Sequence, residues 1–153
     1  MIVLAEPRRV SVAGIDLGDS PTISSLREAL NSPLERQFQK TGEANGIPFD
    51  RTKSVFDGRG LSAISESDSG ELVSLIVTFN RRERLGAIVQ EEPEALFSGS
   101  VRLGEFTLAP HVSYSAYEQL VSVDFDCPSI HVCPGDHGDI ASVAIGFEET
   151  PWG

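Results

Sequence analysis

Two stretches of the chain alternate apolar and polar positions in the same way. In residues 70–79, Val73, Leu75, Val77 and Phe79 share one face of a predicted strand. In residues 138–147, Ala141, Val143, Ile145 and Phe147 do the same. An offset of 68 brings Gly70, Ser74 and Phe79 onto Gly138, Ser142 and Phe147, and Asp68 onto Asp136. A second predicted strand precedes each: residues 61–65 run into Glu66-Ser67-Asp68-Ser69-Gly70, and residues 129–133 into Pro134-Gly135-Asp136-His137-Gly138. Gly and Pro supply the turn geometry, so each stretch ends in a hairpin.

The beginnings also correspond. Val10-Ser11-Val12-Ala13-Gly14-Ile15-Asp16-Leu17 reads as strand, glycine turn, strand, and so does Val101-Arg102-Leu103-Gly104-Glu105-Phe106-Thr107-Leu108. Ile23, Leu26 and Leu30 then follow at helical spacing, with Ser20 expected as N-cap and Pro21 as the first helical residue. Ser32-Pro33-Leu34-Glu35 is a second capping signal, predicting a further turn or two of helix. Ser113 is expected to cap a helix carrying Tyr114, Tyr117 and Leu120. Asp57-Gly58-Arg59-Gly60 reads as a turn between strands, and residues 39–53 as a long helix-to-sheet connection. The expected fold is α+β, a mainly antiparallel sheet built from two degenerate hairpin-helix-hairpin repeats, with one helix per repeat packed on the sheet. Repeat one spans 9–80, a linker 81–97 and repeat two 98–148, within a single domain of 1–153. A length of 153 residues suits one core.

Charge changes the picture more than composition does. A 40% hydrophobic and 23% charged chain is ordinary for a globular protein, but the net charge is −11. Such a surface repels nucleic-acid phosphates and anionic membranes, and it suits either plain solubility or a basic protein partner. The charge is also uneven: residues 99–153 carry Arg102 alone against eight acids. In Val121-Ser122-Val123-Asp124-Phe125-Asp126 the alternation puts Ser122, Asp124 and Asp126 on the face away from the apolar residues. The candidate partner-binding residues are therefore Asp124, Asp126, Asp136, Asp139, Glu148 and Glu149, with Trp152, the one tryptophan, as an interface anchor. Arg81, Arg82 and Arg84 alternate with Glu83, and read as a solvated linker or as ion-pair partners for Glu91, Glu92 and Glu94.

Catalytic signals are sparse. Cys127, His131, Cys133 and His137 have ligand chemistry suited to zinc, but the spacing C-x3-H-x-C-x3-H fits no standard zinc template. His137 beside Asp136 and Asp139 holds the ingredients of acid–base or hydrolytic chemistry, in a turn where Asp is favoured for its own backbone bonding. Glycine phosphate loops, a G-x-S-x-G elbow and H-E-x-x-H are missing. We expect a non-enzymatic protein with no catalytic residues, no metal and no cofactor. Two cysteines make no disulfide framework, residues 1–10 lack a signal-peptide core, and no apolar run has spanning length; the expected location is cytoplasmic.

The order strand-Gly-strand, helix, sheet hairpin, followed by the restart Phe97-Ser98-Gly99-Ser100-Val101-Arg102-Leu103-Gly104, resembles a family of small two-repeat α+β proteins over residues 10–147. That family is encoded beside bacterial polymorphic and type VI secretion toxins, and its members are assigned as immunity proteins. The resemblance implies a protein that binds and neutralises a cognate toxin domain. The acidic second half suits a basic, nuclease-like toxin. A monomer is expected, with neither nucleic acid nor membrane as partner. Two other readings stay open: a metal-dependent hydrolase using His131, His137, Asp136 and Asp139, and a structural module self-associating through a sheet edge.

Overall fold

The structure is a computed structural model, and it describes residues 2–147 apart from 7, 8, 19, 32, 33, 81–90, 104, 105 and 119–128. The apolar patch near the N-terminus forms strand β1 (Ile2–Glu6). It is followed by β2 (Arg9–Val12) and the short β3 (Ile15–Asp16). The β2–β3 turn needs positive φ at two successive residues, and Ala13 (54°) and Gly14 (80°) adopt it.

Helix α1 (Ile23–Leu30) buries Ile23, Leu26, Ala29 and Leu30 at the predicted spacing. Its N-cap is Thr22 rather than Ser20, and Pro21 lies outside the helix. Thr22 Oγ1 accepts from the Ser25 N–H at 3.2 Å, and Ser25 Oγ accepts from the Thr22 N–H at 3.1 Å. Sheet contacts cause the shift. Thr22 bridges to Glu71, and Pro21 O accepts from the Leu72 N–H, which holds both residues extended. Asn31 in the left-handed region ends the helix; Leu34 and Glu35 are not helical, and Ser32 and Pro33 lie outside the described residues.

Strands β4 (Arg36–Ala44) and β5 (Ile47–Phe56) form a long hairpin where a connection was expected. Asn45 and Gly46, at φ 54° and 78°, make the two-residue turn that matches strand twist. Phe49 lies over Gly42, where a Cβ would meet its ring at 2.9 Å. The turn at residues 57–60 leads to β6 (Leu61–Glu66), which pairs with β7 (Leu72–Thr78). The chain restarts with β8 (Ser100–Leu103) and β9 (Phe106–Leu108). Helix α2 (Tyr114–Glu118) comes next, with Ser113 Oγ accepting from the Ala116 N–H as expected. β10 (Ser129–Pro134) and β11 (Ile140–Gly146) close the order. Leu120 lies outside the described residues.

The α+β, mostly antiparallel architecture holds, but it is divided between two sheets. One has the order β3-β2-β1-β8-β9, the other β10-β11-β7-β6-β5-β4. Only the β1–β8 pair is parallel among the pairings described. A single hydrophobic core joins both sheets to α1. It includes Val3, Val12 and Val101 from the first sheet, Phe56, Leu75 and Ile145 from the second, and Leu26 from the helix. Leu26 has no exposed surface, so Leu26→Ala removes about 3 kcal/mol through lost burial and a residual cavity.

Across the β7–β11 pair, Ile76 faces Ala144. The Phe79 N–H donates to Ala141 O at 2.8 Å, while the Phe147 N–H donates to Val73 O at 2.9 Å. The Ile23 N–H donates to Gly70 O and the Tyr114 N–H to Gly138 O, at 2.8 and 2.9 Å. Thr22 bridges to Glu71, and Ser113 to Asp139.

Candidate functional site

The inward side chains of the six-stranded sheet enter the core, and its other face carries a polar row. Cys133 on β10 is opposite Ser142 on β11, which is opposite Thr78 on β7. One pair along the strands, Ile76 on β7 is opposite Ser62 on β6. Lys53 on β5 shares this outer face. The period-two rule puts all of them there because their sequence neighbours, among them Leu61, Ala63, Val77 and Val143, are wholly buried on the other side.

Residues 91–97 form a strap across this face. Asp57, in the β5–β6 turn, holds it. Its carboxylate takes a bidentate pair from Arg36, at 2.6 and 2.8 Å, and the Glu94 N–H at 3.0 Å. Asp57 O accepts from the Ala95 N–H at 2.9 Å, and Arg36 Nη2 also reaches Glu92 O at 3.0 Å. At one end Glu91 pairs with Lys40 and, at 3.8 Å, with Lys53. At the other the Phe97 N–H donates to Thr78 O at 2.8 Å, and the Phe97 ring meets Phe79 at 5.7 Å. The Arg36 guanidinium holds the Asp57 carboxyl below its ordinary range.

Between strap and sheet lies a groove of about 230 Å³. Glu91, Glu92 and Pro93 form one wall, with Lys53 beside them; the hydroxyl row and Asn80 are its floor. Ser62 is 2% exposed and Thr78 5%, yet neither side chain makes a hydrogen bond among the described residues. The same holds for Ser142. Asn80 commits its amide nitrogen to Ile140 O at 2.8 Å and Pro110 O at 3.4 Å, leaving its side-chain oxygen for a ligand. Burial pushes the Lys53 ammonium below its ordinary pKa, against the opposing pull of Glu91. Chemically, the groove offers more hydrogen-bond acceptors than fixed donors.

Of the predicted partner-binding residues, the two that are described, Asp136 and Asp139, do not line the groove. Asp136 and His137 are exposed in the β10–β11 turn. Asp139 closes that turn: its Oδ1 accepts from the His137 N–H at 3.4 Å, and the carboxylate fills the space where a Cβ on Gly135 would stand. His131 is exposed on the outer face, and Cys133 is at the groove. Among the described residues no three of His, Cys, Asp and Glu come close enough to hold a metal ion. Asp124, Asp126, Cys127, Glu148, Glu149 and Trp152 lie outside the described residues, as do Arg81, Arg82 and Arg84. Among the described residues the partners of Glu91 are Lys40 and Lys53.

The groove residues carry a faint sequence signal, since Ser62, Thr78 and Ser142 are polar positions within largely apolar strands. Among the described residues no helix is long and apolar enough to cross a membrane. Comparison with protein-family models, curated proteins and solved structures gives no match.

Proposed function

We propose that this is a non-enzymatic binding protein, a cytoplasmic immunity protein that neutralises a cognate, basic toxin domain through an acidic surface. The observation that carries the reading is the use of the cations. Five basic side chains among the described residues, Arg27, Arg36, Lys40, Arg51 and Lys53, are engaged in ion pairs with Glu35, Asp57, Glu66 and Glu91. Those cations are absorbed within the molecule, and the net charge of −11 is left to a surface on which Glu28, Glu43, Glu118 and Asp136 are exposed. Such a field speeds encounter with a basic partner and deters nucleic acid. Asp136→Lys is expected to slow association with that partner, more so at low salt. Equal association rates at all salt concentrations would remove Asp136 from the interface.

The same reading includes an internal duplication, repeat one at 9–80 and repeat two at 98–148. Its support is the reciprocity of Phe79 to Ala141 and Phe147 to Val73, and the matched bonds at the two helix starts. The competing reading, a self-associating module, has one observation in its favour. β4 is a nine-residue edge strand, and Ile47 beyond its end is 70% exposed. Arg36 and Lys40 place charge along that edge, a device that discourages pairing, and a monomer is expected by light scattering. A concentration-dependent dimer would favour the module.

A further inference from the structure

We propose that the groove beneath the strap receives the guanidinium group of an arginine side chain from the basic partner. This rests on the reading above and adds the place and chemistry of contact. A guanidinium has five N–H donors and no acceptor, so a matching site must be rich in acceptors. The groove is. Glu92 places a carboxylate in the wall that makes no hydrogen bond among the described residues, and Asn80 has spent its donor nitrogen elsewhere. Ser62 and Thr78, 2% and 5% exposed, bring hydroxyl oxygens that lack partners among the described residues. Ser142 extends the row toward β10.

These hydroxyls line the groove and are not sealed in the core, where Ser54 Oγ alone among the described residues is fully buried without a partner, so a ligand here competes with water for them. A donor-rich ligand would satisfy several at once. Lys53 is the opposing element, but Glu91 sits 3.8 Å from its ammonium and offsets the repulsion. The volume of about 230 Å³ accommodates a guanidinium with its alkyl stem. A bare ammonium, with three donors on one atom, would reach fewer of these acceptors.

The test uses the full chain, isotopically labelled, titrated with agmatine and followed by amide chemical shifts. Saturable shifts are expected at Ser62, Thr78, Asn80 and Ser142. Putrescine, which has the same charge and stem as agmatine but an ammonium in place of the guanidinium, should bind about tenfold more weakly, as multiply bonded charged contacts are the stronger ones. Glu92→Gln should weaken agmatine by about tenfold, while Lys53→Gln should strengthen it by removing a like charge. Glu92→Gln leaves the backbone contact to Arg36 in place, and an unchanged spectrum elsewhere shows that the fold survives. Thr78→Val, which keeps the backbone bonds to Gly60 and Phe97, should also weaken binding. No saturable shift, shifts centred on the Asp136 turn, or indifference to Glu92→Gln would each overturn the proposal. Agmatine binding without any basic protein partner would support the groove and count against the immunity reading. A partner complex indifferent to Glu92→Gln and Thr78→Val would do the reverse.

Discussion

Gly60 is where the strap crosses the sheet, and it has no space for a side chain. Its φ is +70°, and a Cβ would stand 2.1 Å from the Phe97 backbone nitrogen. Gly60→Ala therefore forces both a left-handed alanine and a displaced strap, and should lower the unfolding free energy by about 3 kcal/mol. Urea denaturation measures it; an unchanged midpoint would mean that the strap does not lie there. Ser54 is the opposite case. Its buried hydroxyl has no hydrogen-bond partner among the described residues, so Ser54→Ala should be neutral or stabilise the fold by up to about 1 kcal/mol in the same assay.

Acid sensitivity also belongs to single residues. Arg36 lowers the pKa of Asp57, and Arg27 lowers that of Glu35. A carboxyl held low in the folded state contributes stability that is complete above its ordinary pKa and lost as pH falls through the folded value. Urea midpoints should decline as pH drops through the carboxylate range and below it, less steeply in Asp57→Asn. An equal slope in that variant would show that the Arg36 pair is not maintained in solution.

At the scale of elements, the strands with one buried face could be read from alternation alone, and so could the face of α1. The β4–β5 hairpin could not be read that way. Beyond Phe38 and Phe49 its tip, residues 41–48, is exposed on both faces, so its residues follow no apolar–polar alternation. Asn45-Gly46 was the available signal. The N-cap moved from Ser20 to Thr22 because a bridge to Glu71, distant in sequence, overrode a local preference. The groove is not legible in the sequence for a related reason. Outward hydroxyls on β6, β7 and β11 are visible as polar positions, but only the chain path brings Glu92 above them. With few buried contacts, amides of residues 41–50 should exchange with solvent faster than those of β6, β7 and β11 by hydrogen-exchange mass spectrometry. Equal protection would require that the hairpin tip be covered in solution.

Across the whole molecule, the net charge of −11 acquires an internal geography. All five ion pairs described join residues within 27–91, where they tie β4, β5 and the strap together. Residues 98–148 have Arg102 as their one lysine or arginine, so carboxylates dominate the charge of that part of the chain. Surface charge of this kind governs encounter rate and salt dependence more than final affinity. The central claim is that a basic protein is the ligand. Co-expression with the product of the adjacent reading frame, followed by size-exclusion chromatography, tests it most directly. The account predicts a stable complex whose association slows as salt rises, and cells protected from that product. Separate elution together with unprotected cells would contradict it.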